Sequence, residues 1–434
     1  MNRCVNAFHS FTHIRINAYT RKMTNRQAAI KIIKRLRRDG FQALLAGGCV
    51  RDMLLGRRAS DYDVATDAEP KDVIKIFKRT LKVGAKFGVV IVLNEGRQVE
   101  VATFRTETGY TDGRHPATVK FVSAAEDASR RDFTINGMFY DPIEKKVIDY
   151  VNGRADLEKE LVRTIGRAEK RFGEDYLRML RAIRFSTQLG FAIEQKTFSA
   201  ICSNAKNIAK ISGERIAMEL EGILVNPNRS AGTQMLVESG LTEAIFPGLS
   251  AGQAKFAIKV LSQLRNRRNR IDFSLVLACL FAGCTTEFAL AELRVLKLSR
   301  SANRHIKFLL TNRDKLLDEK MSLAELKMIL AEPYFQDLYE LQKAIQKAGA
   351  GGRATLRPLM RLQKRIKALG EVELKPAPLL NGHDLIRLGA VPGPALGQLA
   401  QEMYIAQLEG KLQTSQQAEQ WVRKWLQKHK MIEE

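Results

Sequence analysis

Two aspartates in "ASDYDVAT", Asp61 and Asp63, stand two residues apart. In a strand, residues at that spacing face the same side. Their carboxylates could then hold Mg²⁺, which takes oxygen ligands and keeps positions open for phosphate oxygens. Paired metal ions that clamp an attacking and a leaving oxygen are a recurring solution for phosphoryl and nucleotidyl transfer. Exposed turns also produce D-x-D, so the neighbouring residues matter. Just upstream, "AGGCVRD" ends at Asp52 and reads as a glycine turn between a strand and a helix. Such a turn lets backbone N–H groups, that of Gly48 among them, approach a phosphate. Arg51 could grip a triphosphate.

Three further stretches carry candidate chemistry. "QVEVATFR" puts Glu100 on a strand face, as a third carboxylate or a solvated residue. "SRRDFTINGMFYD" gathers Arg130, Arg131, Asp132 and Asn136 as a second phosphate- or sugar-binding element. Its structural alternative is a helix start capped by Asp132 or Thr134. "FGEDYLRMLRAIRF" spaces Asp175, Arg178, Arg181 and Arg184 three residues apart. On one helix that spacing makes a single polar stripe, either a solvated salt-bridge face or a row of ligand contacts.

The elements that must position these residues follow from periodicity. Residues 25–39 read as an amphipathic helix and "FQALLAGG" as a short buried strand. "VRDMLLG" opens a helix closing at Gly56, "DYDVAT" is strand-like, and "PKDVIKIFKR" is a helix with Pro in its first turn. "GVVIVL" and "QVEVATF" flank the turn "NEGR" as two β-branched strands. From about residue 155 the pattern is helical, with a weakly ordered break near "AGAGGRATLRP". The fold class is α+β: a mixed α/β lobe followed by an all-α region.

The 434 residues are 45% hydrophobic, enough for real cores, and 71 Lys and Arg against 47 Asp and Glu give a net charge of +24. That surplus points to a polyanion, with nucleic acid first. No apolar run approaches the ~18 residues of a spanning helix, so a membrane partner is not expected. Five cysteines without CxxC pairing read as free thiols in a reducing compartment, not as a zinc site. The basic, acid-free first 22 residues read as a leader or as a start placed before Met23; mitochondrial targeting is the alternative to a cytoplasmic protein.

Together, G-G-x-V-R-D, D-x-D, R-R-D-F-T-I-N and E-D-x-x-R-M-x-R-A-x-R-F, in this order, resemble the class II nucleotidyltransferase family. That branch comprises bacterial-type tRNA CCA-adding enzymes and bacterial poly(A) polymerases. The resemblance is strongest from about 43 to 225 and continues through "SGERIAMEL" and "LLNGHDLIRLGAVPGPALGQL". It implies a nucleotidyltransferase head (palm) at 25–153 after a leader at 1–24 without fixed structure. A helical neck at 154–225, a body at 226–350 and a tRNA-binding tail at 351–434 would follow. It also implies Mg²⁺ at Asp61 and Asp63, CTP and ATP as substrates, and tRNA as partner.

Residue by residue, the resemblance makes Gly48 and Arg51 triphosphate contacts and turns Arg131 toward the nucleotide, with Asp132 and Asn136 beside it. Asp175 and Arg178 match the base-selecting pair, and Arg181 and Arg184 match neighbouring nucleotide contacts. Cytosine and adenine both present an exocyclic amine beside a ring-nitrogen acceptor. A carboxylate can accept from the first and a guanidinium donate to the second. Uracil and guanine reverse that pattern. The loop "FRTETGYTDGRHP" resembles the flexible loop of full or A-adding enzymes, with Glu107, Tyr110, Asp112 and Arg114 as its polar members and His115 where many relatives have Arg. "VGAKFGVVIV" resembles the CCA-adding rather than the poly(A) pattern. Full CCA addition is the expectation, ahead of A-only addition, poly(A) synthesis and an inert RNA-binding scaffold. "GHD" at 382–384 lacks the other ligands of an HD metal site and reads as a helix cap.

Overall fold

The computed structural model describes residues 23–82, 84–110, 116–265, 271–349, 355–370 and 373–429. The described chain forms two compact units. One runs to Lys159 and includes Arg163–Gly166; the other comprises Glu160–Val162 and the chain from Arg167 onward.

The first unit begins with α1 (Asn25–Arg38), whose start is fixed by a capping box between Thr24 and Gln27. There follow β1 (Ala43–Ala46), α2 (Gly48–Leu54), β2 (Asp63–Thr66), α3 (Pro70–Ile76), β3 (Thr80–Leu81), β4 (Val89–Asn94) and β5 (Arg97–Thr103). Next come β6 (Arg105–Tyr110), β7 (Pro116–Phe121), α4 (Ala124–Arg130), β8 (Phe139–Asp141), β9 (Lys146–Ile148) and α5 (Gly153–Glu158). Seven strands form one sheet in the order β3-β4-β5-β2-β1-β8-β9. β1 and β2 are antiparallel with Ala46 opposite Asp63, and β2 and β5 are parallel with Val64 opposite Val101.

Alternation along these strands gives the sheet two distinct faces. Val64, Val92, Val99 and Val101 are buried on the side that α1 and α3 cover. The other side joins Leu44, Ala46 and Ala65 to Phe104, Phe139 and the α4 residues Ala124 and Ala128. Asp63 and Glu100 belong to this second side by the same alternation.

Among its described residues the second unit is helical apart from the short parallel pair β10 (Leu161–Val162) and β11 (Ala192–Ile193). Its helices are α6 (Ala168–Glu174), α7 (Leu177–Leu189), α8 (Gln195–Asn204), α9 (Gly213–Leu224), α10 (Arg229–Glu238), α11 (Leu241–Ile245) and α12 (Ala251–Gln263). They continue with α13 (Phe273–Leu280), α14 (Thr286–Glu292), α15 (Arg300–Asn312), α16 (Leu323–Leu330) and α17 (Phe335–Ala348). The last are α18 (Arg357–Leu369), α19 (Gly382–Arg387), α20 (Pro394–Leu408) and α21 (Ser415–Lys428). α13 is apolar nearly all round because it is buried nearly all round. The buried Arg229 donates to the carbonyls of Leu224 (3.0 Å) and Leu264 (3.1 Å), where α9 and α12 end and backbone acceptors lack helical partners. A separate apolar core, with Leu385, Leu399, Met403, Val422 and Leu426, holds α19, α20 and α21 together.

Four expectations need correction. Strand β2 starts at Asp63, so Asp61 precedes it. β1 ends at Ala46, opposite Asp63, and offers Asp61 no backbone partner. The stretch around Asp175 is two helices, α6 and α7. Asp175 lies between them with extended φ and ψ of −154° and 106°. The expected loop at 104–116 is largely the antiparallel ribbon β6–β7, with Glu107 opposite Val119; Asp112, Arg114 and His115 lie outside the described residues. Neither Asp132 nor Thr134 caps a long helix, since only a short 3₁₀ turn, Thr134–Asn136, follows. The leader and residues 266–270 of the basic run "RNRRNR" also lie outside the described residues. "GHD" does open a helix: Asn381 accepts from the N–H groups of His383 and Asp384. Among the described residues no helix is long and apolar enough to cross a membrane.

Candidate active site

In the first unit the structure brings Asp61, Asp63 and Glu100 into one electrostatic neighbourhood. Asp63 reaches solvent at the end of its strand, yet burial by its surroundings pushes its carboxyl up to about 6. The like charges of Glu100 and Asp61 add to the rise, and the Arg131 guanidinium opposes it. Asp61 accepts from Ser60 Oγ at 2.9 Å. Behind Asp63 sits the buried Cys49, whose thiol donates to the Ala46 carbonyl at 3.3 Å. That thiol is pushed up to about 12, first by burial and then by Asp63. It is inert packing. Cys202, Cys279 and Cys284 are also free.

The glycine turn is required twice over at Gly47. Its φ of 73° lies in the left-handed region, and a β-carbon there would stand 3.2 Å from Arg131 Nη1. Arg51, one turn into α2, donates to Asn136 Oδ1 (2.8 Å) and pairs with Asp52 (2.8 Å). Asn136 in turn donates to Asp132 Oδ1 at 3.3 Å, and the same oxygen accepts from the Phe133 N–H at 2.8 Å. The G-G-x-V-R-D and R-R-D-F-T-I-N segments therefore meet through side chains, across a sequence separation of 85 residues. No local signal announces that contact.

One residue of this site escaped the sequence reading: Asp127, on α4. Its buried carboxylate takes Arg131 Nη2 (2.9 Å), Arg130 Nη2 (2.8 Å) and the backbone N–H of Arg105 (3.2 Å). Burial alone would raise its pKa. The two guanidiniums outweigh burial and hold the carboxyl below the usual range. Arg131 also lies over the Phe139 ring at 4.8 Å. The spacing of an acid three and four residues before an arginine pair was the available signal.

The second unit holds the other candidates. Asp175 Oδ1 accepts from the Leu177 N–H (3.0 Å), capping the first turn of α7, and Oδ2 takes Arg215 Nη2 of α9 (2.7 Å). Arg178 Nη1 donates to Glu174 Oε2 (2.7 Å) and to the Arg171 carbonyl (3.1 Å). Its Nε and Nη2 have no partner among the described residues, and each Asp175 oxygen keeps a lone pair. Asp175 and Arg178 are thus not an ion pair with each other but are held separately, side by side. Arg184 donates to Glu219 Oε2 (2.6 Å) and lies over Phe185, while Arg181 stands 3.9 Å from Glu219 Oε1. Arg215 and Glu219, four apart on one face of α9, are the residues the sequence reading passed over within "SGERIAMEL".

Comparisons with known proteins bear on the family and the fold. Residues 43–163 match the family described as "Poly A polymerase head domain", and residues 190–252 match "Probable RNA and SrmB- binding site of polymerase A". The CCA-adding enzyme of Lactobacillus gasseri is 35% identical over 394 residues, covering 90% of this chain and 95% of that one. That of Geobacillus kaustophilus is 46% identical over 226 residues, 52% of this chain and 55% of that one. Among solved structures, the Bacillus stearothermophilus CCA-adding enzyme in complex with CTP superposes with a TM-score of 0.75 at 32% identity, covering 94% of this chain and 99% of that chain. The Thermotoga maritima CCA-adding enzyme complexed with tRNA shares the fold, with a TM-score of 0.65 at 20% identity over 94% of this chain and 97% of that chain. With nine-tenths of its length aligned to a curated relative at more than 30% identity, this chain belongs to the CCA-adding enzyme family.

Proposed function

We propose that this enzyme builds or repairs the 3′-terminal CCA of tRNA, using CTP and ATP as donors and releasing pyrophosphate, in the cytoplasm. The observation that carries the reading is the cluster of Asp61, Asp63 and Glu100 beside Arg131 and the Gly47 turn. Enzymes of this kind are normally metal-dependent. The carboxylates of Asp61 and Asp63, with Glu100 close enough to act on Asp63, offer only oxygen donors, which suit a hard divalent cation. Mg²⁺ is the ion we assign to Asp61 and Asp63, with Glu100 adjacent. Among the described residues no three acidic, His or Cys side chains converge on one point, so phosphate oxygens and water would supply the remaining ligands. When bound, the ion would polarise the reacting phosphate and lower the pKa of the attacking hydroxyl.

The chain's own residues divide the remaining work. Arg51 and Arg131, held by Asn136 and Asp127, offer guanidinium N–H groups to the triphosphate, and the Gly48 backbone adds a further donor. Asp175 accepts the exocyclic amine of C or A while Arg178 donates to the adjacent ring nitrogen. Arg181 and Arg184 serve groups common to both nucleotides. The helical unit divides on this reading into neck (154–225), body (226–350) and tRNA-binding tail (351–434).

The test is direct. The protein, Mg²⁺, CTP and ATP are incubated with tRNA ending at the discriminator base, in C, or in CC. All three should end as CCA, and Asp61→Ala or Asp63→Ala should abolish addition while leaving tRNA binding within about twofold. Either variant working within a few-fold of the parent would remove the carboxylates from the chemistry. Extension of the CC-ended tRNA alone would reduce the activity to A addition.

A further inference from the structure

The face of the sheet turned away from Asp63 and Glu100 carries a second strongly charged feature. Between α1, the end of α3 and the β4–β5 hairpin lies a cleft of about 930 Å³. Seven lysines and arginines line it against one carboxylate, Glu95. Four of them rise from α1 at positions 31, 34, 35 and 38, the spacing that puts side chains on one helix face. Three of the seven are already committed. Lys31 pairs with Glu95, Arg35 pairs with Asp39 (2.7 Å), and Arg97 donates to the Met23 carbonyl (2.8 Å). Lys34, Arg38, Lys78 and Arg79 are exposed and make no side-chain ion pair or hydrogen bond among the described residues. Val92, buried on this side, and Phe77 contribute apolar wall.

Concentrated like charge of this kind is self-repelling unless an anion fills it. Basic residues at the end of α1 also face the negative end of that helix, which accounts for Arg38 alone. It does not account for Lys78 and Arg79, which come from a different element. A concave cleft admits a threaded chain of phosphates and not a flat lipid surface. A partly exposed aromatic among cations suits a base beside its backbone.

We propose that this cleft is a second RNA site, on the rear of the nucleotidyltransferase sheet, that holds a phosphodiester backbone away from the reacting 3′ end. It rests on the reading that the substrate is an RNA. The cleft acts on affinity and not on the chemical step, because the face it occupies is not the face of Asp63 and Glu100.

The experiment uses the full-length protein and the fourfold variant Lys34→Gln, Arg38→Gln, Lys78→Gln, Arg79→Gln. A control variant removes four other exposed cations of the same unit (Lys145→Gln, Lys146→Gln, Arg154→Gln, Lys159→Gln). Binding of a tRNA transcript, a single-stranded oligoribonucleotide and ATP is measured across a salt series. The cleft variant should bind both RNAs at least tenfold more weakly at low salt. Its salt slope should fall by about 3, at roughly 0.7–0.9 for each phosphate no longer neutralised. The control should change affinity less than about threefold, and kcat on a saturating CC-ended minihelix should be unchanged in both. Unchanged RNA affinity and slope in the cleft variant would overturn the proposal. So would an equal loss in the control, or a loss confined to ATP. Failure of the parent protein to extend tRNA would instead overturn the functional reading, which the binding series does not depend on.

Discussion

Asp127 shows how a residue outside every recognisable motif governs one inside it. It is 2% exposed and shared between Arg130, Arg131 and the Arg105 backbone. Replacing it with Asn keeps the shape and removes the charge, leaving two part-buried guanidiniums without their carboxylate. The expected cost is about 3 kcal/mol at neutral pH, with a several-fold rise in KM for both CTP and ATP and little change in kcat. Its pKa is lower in the folded than in the unfolded protein, so its contribution is present above the ordinary carboxylate range and lost as pH falls through the folded value. The stability gap between parent and Asp127→Asn should therefore close on acidification below about pH 4. A gap unchanged at low pH would show that the charge is not what matters. Arg178 makes a different kind of prediction. With only Nη1 committed to protein, Arg178→Ala should lose discrimination against UTP and GTP more than it loses affinity for CTP. Unaltered misincorporation of all four nucleotides would reduce Arg178 to a brace for Glu174.

Helix α9 holds two acidic–basic contacts that fix the segment proposed to read the nucleotide, Arg215 to Asp175 and Glu219 to Arg184. Its own position depends on Gly213 in its first turn. A β-carbon there would stand 1.8 Å from the Val295 carbonyl oxygen, a backbone atom that cannot swing aside. Gly213→Ala must push α9 away from the Val295 carbonyl and so disturb both contacts, destabilising the protein by more than about 3 kcal/mol. Gly397, inside α20, is the matched comparison, because a β-carbon there would meet nothing within 4 Å. The same substitution at that position should stabilise by about 0.5–1 kcal/mol. Thermal melts of the two variants check both signs, and equal melting temperatures would refute the close approach.

Across the whole molecule, the +24 charge is unevenly available. On α18, within "RLQKRIK", Arg361 pairs with Glu319 and Arg365 Nη2 donates to the Met321 carbonyl at 2.6 Å. Part of that basic stretch therefore serves packing of the helical unit. The rear cleft of the first unit keeps four cations without carboxylates. Net charge alone would rank the two stretches equally as RNA contacts. Partnering separates them, because a guanidinium already paired gives up an interaction when a phosphate replaces it.

By itself the amino-acid order determined the fold class, the family and the identity of nearly every candidate residue. Those depend on residue type and short spacing, and local physics reads both: β-branched strands in "GVVIVL", the amphipathic helix from residue 25, the glycine turn before Asp52. Tertiary structure alone decided where Asp61 and Asp175 stand. A strand ends where its neighbour ends, and β1 stops at Ala46. A helix breaks where a side chain can satisfy the next turn, and Asp175 caps Leu177 while Arg215 anchors it from 40 residues away. The same holds for the contact of Arg51 with Asn136, 85 residues apart. Such partners leave no periodicity in the sequence, because the energy of a long-range contact depends on which surfaces pack, not on which residues are neighbours along the chain.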